Sequence, residues 1–265
     1  MKFLFTALFI IFLVLNVNSQ NLDNREHGAL EEFWDYSGWG FFVTPVIYQK
    51  SIANNRIGAT QITGEPKYSF QLGAKRYFSR TFKWSFNTGV ILNWIPSPDL
   101  SYDITSEIPE EYSYSPNENR YDGLVGVYVT VPLNMEYKQR LARNIYINFS
   151  TGLNIGLGSG VYASYNDAVL KEEQDENRKV DVFEMNVSSY DNGVILTGTL
   201  SAGFYFTFQK FMLQTNVIYN KNFKNLWQGE YSFSSLLNLG RTVGTYKQSG
   251  DYFGFSTTVF LKRKK

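Results

Sequence analysis

The chain of 265 residues carries 25 Lys and Arg against 24 Asp and Glu, a formal net charge of +1, so no overall field recruits nucleic acid. It has no cysteine, which excludes a disulfide framework, a thiolate nucleophile, a Cys-ligated metal and an acylated lipoprotein terminus. Aromatic residues make up 17%, mostly 19 Tyr and 22 Phe, and beyond the start there is no apolar stretch long enough for a membrane helix, in keeping with a mean hydropathy of -0.26.

The chain opens MKFLFTALFIIFLVLNVNSQ. Lys2 precedes an apolar run from Phe3 to Leu15, and Val17-Asn18-Ser19 supplies small residues before a cut at Gln20. The run is too short for a bilayer-spanning helix and has the layout of a Sec-type export signal; an uncleaved anchor is the alternative. Residues 1–19 are therefore expected to be a cleavable signal peptide, 20–35 a periplasmic N-terminal segment and 36–265 one β-barrel.

From there the dominant signal has period two. It begins weakly in SGWGFFVTPVIY and sharpens in KYSFQLGAKRYF, where Tyr68, Phe70, Leu72 and Ala74 oppose Ser69, Gln71, Gly73 and Lys75. In TFKWSFNTGVILNWI, Phe82, Trp84, Phe86, Val90, Leu92 and Trp94 oppose Lys83, Ser85, Asn87, Gly89, Ile91 and Asn93. In GLVGVYVTVPLNMEY the valines, Leu133 and Met135 oppose Gly126, Tyr128, Thr130, Asn134 and Glu136. IYINFSTGLNIGL, LTGTLSAGFYFTF, FMLQTNVIYN and YFGFSTTVFL bring the number of predicted strands to eight. Short links follow strands two, four and six. Long links, about 49–66, 96–121, 158–194 and 223–247, follow the others, so an antiparallel meander gathers every long loop at one end and both termini at the other.

A soluble lipocalin-like cup and an outer-membrane barrel both fit eight up-and-down strands. A soluble cup needs charge on its outer face, yet the face opposite the apolar one is Gly, Ser, Thr, Asn and Tyr, which suits a narrow lumen. Phe82 and Trp84 at one strand end and Trp94 at the other fit the headgroup level as an aromatic girdle. The reading is an eight-stranded antiparallel up-and-down transmembrane β-barrel in a bacterial outer membrane, closed because an open edge in lipid leaves backbone groups unpaired. Ile91, Met212 and Ile218 fall on the interior face against the pattern. Arg76 falls on the lipid face near a turn, to be met by snorkelling or by a bulge that shifts the register.

The strand VYVTVPLNMEYKQR (Val127 to Arg140), the eight-strand layout and the closing YFGFSTTVFLKRKK resemble the small bacterial outer-membrane β-barrels of the OmpA/OmpX-like type, and especially the PorT-like barrels of Bacteroidetes. The resemblance covers roughly 36–262 and rests on diffuse patterning. It implies a cell-envelope protein and an accessory role in envelope assembly or protein secretion. Members of this kind end near a terminal aromatic; here Phe260 is followed by Leu261 and a basic tail, Lys262 to Lys265.

Candidate chemistry is sparse. His27, the single histidine, precedes the first strand, away from the rim where lipid hydrolysis needs an imidazole, so no catalytic residue, cofactor or metal site is expected. The links hold acid: Asp99, Asp103, Glu107, Glu110, Glu111, Glu118 and Asp122 against Arg120, then KEEQDENRKVDVFE. These read as solvated loops, with cation bridging to lipopolysaccharide as the alternative. Arg80, Lys138, Arg140, Arg143, Lys210 and the tail place base at the other end, to meet anionic headgroups or to cap turns. Lys75, Lys83 and Glu136 point inward and read as a sealed lumen network, or else a gate. The loop aromatics Tyr102, Tyr112, Tyr114, Trp227, Tyr231 and Phe233 either pack on themselves or form a recognition surface. The expected role is structural or interactive, through the loops, toward outer-membrane lipid and lipopolysaccharide or an envelope or secretion partner. A small passive pore and a soluble carrier are the alternatives.

Overall fold

The computed structural model describes residues 31–58, 62–78, 83–98, 100–113, 124–158, 160–171, 179–189, 193–238 and 240–263. The signal segment, His27, Arg80, Phe82, Asp99, Tyr114, Glu118, Arg120, Asp122 and the last two lysines lie outside them. Sixteen strands follow in order: β1 (Trp39–Tyr48), β2 (Ile52–Ile57), β3 (Ile62–Thr63), β4 (Lys67–Phe78), β5 (Trp84–Pro96), β6 (Ser101–Tyr102), β7 (Tyr112–Ser113) and β8 (Leu124–Ala142). The second half contributes β9 (Ile145–Gly158), β10 (Val161–Lys171), β11 (Lys179–Ser189), β12 (Gly193–Thr207), β13 (Phe211–Asn222), β14 (Trp227–Phe233), β15 (Thr242–Gln248) and β16 (Tyr252–Leu261).

Eight of them close a barrel in the order β1-β16-β13-β12-β9-β8-β5-β4, antiparallel throughout. They are the eight strands that the period-two pattern predicts, and β1 meeting β16 leaves no edge in the wall. Two prolines sit inside barrel strands, where a missing N–H breaks a ladder. Pro45 pairs with Phe70 on the β4 side, while the β16 register skips from Val43 to Val46. Pro132 pairs with Asn154, and the β5 register skips between Leu133 and Thr130. Each proline turns its donor-less edge to the neighbour whose pairing skips, while the pairing with the other neighbour continues through it.

The long links hold structure of their own. Their described residues form a second, six-stranded sheet in the order β2-β15-β14-β11-β10-β7, and β3 pairs with β6. The chain runs from barrel strands straight into this crown: β9 leads into β10, β11 into β12, β13 into β14 and β15 into β16. The crown thus repeats the barrel order on one side of the mouth and stops at β2 and β7. Residues 179–184, read from their charges as solvated loop, lie in β11, where Val182, Phe183, Met185 and Val187 are buried. The charge run hid the alternation. A shift opposite Asp167 and Ala168 explains why Val182 and Phe183 are both inside.

The polarity of the barrel is the reverse of a soluble protein's. Phe41, Val43, Phe86, Val90, Val127, Val129, Val131, Leu133, Leu153, Leu196, Leu200 and Phe255 are exposed on its outside. Thr44, Gln71, Ser85, Asn87, Asn93, Asn134, Glu136, Asn148, Asn154 and Asn216 are buried within. Among the described residues, the outward positions of the barrel strands carry two charges, Arg76 near one rim and Lys221 near the other. Ile91, Met212 and Ile218 are buried inside despite being apolar. This arrangement is the opposite of a lipocalin-like cup.

Candidate functional site in the barrel interior

Alternation delivers every second residue of eight strands to a lumen just wide enough to be filled by side chains. Glu136, on β8, is 1% exposed and gathers donors from both walls. Ser85 on β5 donates to Oε2 at 3.2 Å, and Asn148 on β9 donates to Oε1 at 3.0 Å. From across the lumen, Tyr205 on β12 reaches the two oxygens at 2.8 and 3.0 Å, and Gln214 on β13 donates to Oε1 at 2.8 Å. Tyr77 completes the circuit by donating to Gln214 Oε1 at 2.9 Å. Lys138 and Lys75 add electrostatic attraction to the carboxylate. A buried carboxylate persists only with such a set of donors and cations.

Lys75 and Glu136 therefore belong to one interior cluster, with Lys75 Nζ 4.7 Å from the centre of the Phe42 ring. Lys83 stands at the start of β5, half-buried, and its carbonyl accepts the Lys138 amide at 2.8 Å. Lys138 itself is a correction. Its place near a short link marks it in sequence as a headgroup contact, but its parity matches Glu136, and it is 1% exposed with Nζ 5.0 Å above the Phe33 ring. Trp84 leans on Tyr137 at 5.0 Å and Trp94 stacks on Phe70 at 4.3 Å, both at strand ends.

Above the carboxylate the filling is neutral. Gln71 donates to Asn93 and to Tyr252, each at 2.7 Å, and Asn93 reaches Thr130 at 3.1 Å. Asn154 and Asn220 approach Thr197 and Thr199 from opposite sides, at 2.8 to 3.2 Å. Lower down, Gly203 on β12 lies in register between Asn148 and Asn216, and a Cβ there would overlap the Thr215 carbonyl and the Asn216 amide.

Both mouths are filled. At the short-link end Phe33, from the 3-10 turn Glu31–Asp35, is 1% exposed and stands edge-on to Tyr146 at 4.9 Å and Tyr205 at 5.2 Å. Tyr146 donates to Glu32, and Tyr36 to the Phe208 carbonyl. Phe33 thus inserts into this mouth from the segment ahead of the first strand, while Trp34 beside it stays exposed. At the other end Leu100, Ile104, Val169, Val182, Phe183, Met185, Leu226, Trp227, Tyr231, Phe233 and Tyr246 form an apolar cluster that continues down to Val46, Tyr48, Ile95, Tyr128 and Tyr252. Trp227 donates to the Pro96 carbonyl, and Tyr102 to Asp167. Trp227, Tyr231 and Phe233 are thus buried in the crown's own core.

The acids of the crown stay apart: among the described residues no three His, Cys, Asp or Glu side chains come together as a metal group. Asp103 accepts the Thr105 amide at 3.0 Å, which holds its carboxyl below the usual range. Burial raises the Tyr231 phenol. A shallow recess of about 280 Å³ opens on the crown between Asp181, Glu184, Ser232, Ser234 and Arg241.

No family model and no curated protein matches the chain. Among solved structures it is similar to Neisserial surface protein A, at 9% identity and a TM-score of 0.37, covering 86% of this chain and 99% of that one. It is also similar to the outer membrane protein OprG from Pseudomonas aeruginosa, at 13% identity and a TM-score of 0.38, over 86% and 98%. A major outer membrane protein from Thermus thermophilus aligns at 9% identity and a TM-score of 0.36, over 84% and 99%.

Proposed function

We propose that this chain is an exported outer-membrane protein, a sealed and non-enzymatic barrel that presents its folded crown outside the cell as an interaction surface. One observation carries the reading: a wall with no edge turns Val, Leu, Ile and Phe outward and Asn, Gln, Thr and Glu inward. Water rejects such an exterior, whereas lipid accepts it and demands a closed wall. The short-link end then faces the periplasm and the crown faces out. An envelope component, lipopolysaccharide, or a secretion partner of the kind the PorT-like resemblance implies would meet the crown, whose recess at Arg241 offers both signs of charge.

The second reading, a small pore, is disfavoured by Phe33 at one mouth and the Trp227 cluster at the other. Two measurements test the proposal. Carbonate washing of membranes from expressing cells should leave the chain in the pellet, as a form that migrates faster on gels before heating than after. In planar bilayers the purified protein should give no stepwise current. Release by carbonate overturns the membrane placement; regular steps overturn the seal.

A further inference from the structure

The short-link rim carries exposed cations that neither the lumen nor the crown uses. Arg76 pairs across the β1–β4 ladder with Trp39 and lies 5.9 Å from that ring and 5.2 Å from the Phe78 ring. Arg263, past the end of β16, lies 5.7 Å from the Trp34 ring, and its amide donates to the Asp35 carbonyl at 2.8 Å. The two arginines flank the same short stretch, Gly38–Trp39. Gly38 accepts the Tyr77 amide at 2.9 Å, next to Arg76, and a methyl group built on Gly38 would stand 4.0 Å from Arg263 Nη2. Among the described residues neither guanidinium is ion-paired with a carboxylate.

We propose that this corner, Arg76 and Arg263 about Gly38–Trp39, recognises the phosphate of an anionic phospholipid in the inner leaflet of the outer membrane. The proposal rests on the membrane placement above. A guanidinium held over an aromatic ring keeps its fork of donors free for phosphate oxygens. The rings that hold these two, Trp34, Trp39 and Phe78, are each more than two-fifths exposed, and Trp39 and Phe78 take the outward positions of their strands, as headgroup-level aromatics do. Free phosphate in water would gain nothing from that apolar surround, but the acyl chains of a bound phospholipid would lie along the apolar wall above the rim. Arg143, Lys210 and Lys262, also exposed on this rim, raise the local positive potential, while Glu32 is engaged by Tyr146.

The test refolds the full chain into vesicles of equimolar phosphatidylglycerol and phosphatidylcholine and counts the lipids that remain bound on gentle detergent extraction, by native mass spectrometry. The native chain should retain phosphatidylglycerol over phosphatidylcholine by roughly tenfold. R76Q/R263Q should fall to within about twofold while still showing the heat-dependent gel shift, and R143Q/K210Q, which removes as much charge elsewhere on the rim, should keep the preference. Equal loss in both double variants, or no loss in R76Q/R263Q, overturns the site. Displacement of the lipid by millimolar inorganic phosphate overturns the choice of lipid over free anion. Insertion without any preference overturns this proposal alone, whereas failure to enter vesicles of any composition overturns the membrane placement as well.

Discussion

Glu136 shows how much one residue can organise. Four side chains from four strands donate to it, so it ties β5, β8, β9, β12 and β13 together across the lumen. Truncating it removes a buried negative charge that Lys75 and Lys138 both face. Glu136→Ala is expected to lower the unfolding free energy by about 3–5 kcal/mol, and Glu136→Gln by less. Urea midpoints in detergent micelles, followed by tryptophan fluorescence, check this; an unmoved midpoint would mean that the lysines hold other partners. Gly203 makes the complementary case. Gly203→Ala must displace the Thr215 backbone or the Asn216 amide and should cost about 1–3 kcal/mol, read in the same assay.

At the scale of strands, the two faces obey different solvents. Leu133 stands mid-strand on the outside of β8, and Ser164 stands exposed on β10 of the crown. Leu133→Lys is expected to lose about 2–4 kcal/mol of folding free energy in vesicles, because a charge at mid-wall meets hydrocarbon. Ser164→Lys should stay within about 0.5 kcal/mol, because the crown meets water. Equal costs at both sites would place the crown and the wall in one solvent. The same contrast shows which strands were legible. Those of the barrel alternate cleanly, since each face has a single solvent along its whole length. Those of the crown alternate against a curved apolar core, with charges on the outer face and a register shift at Asp167, so a count of carboxylates outweighed the pattern.

In the sealed barrel proposed above, Phe33 and its neighbours stopper the short-link mouth below and the crown core stoppers the other above. The two stoppers share no residue, so removing one should not open a path. Phe33→Ala is expected to cost about 3 kcal/mol through the cavity it leaves beneath Tyr146 and Tyr205, and to leave the planar bilayer silent. Stepwise current in Phe33→Ala would show that the crown does not seal.

The order of amino acids alone determined the eight barrel strands, their direction and the face each side chain takes, because a period of two is local and a one-residue slip would invert every face. It also placed Lys75 and Glu136 on the interior face, since parity needs no partner. Only the tertiary structure decided that Tyr205 and Gln214 reach Glu136 from strands two and three places away, that Phe33 and Lys138 meet beneath it, and that strands of four long links join in a six-stranded sheet at the mouth. Those contacts depend on the tilt and stagger with which eight strands close, a property of the whole ring rather than of any stretch of chain.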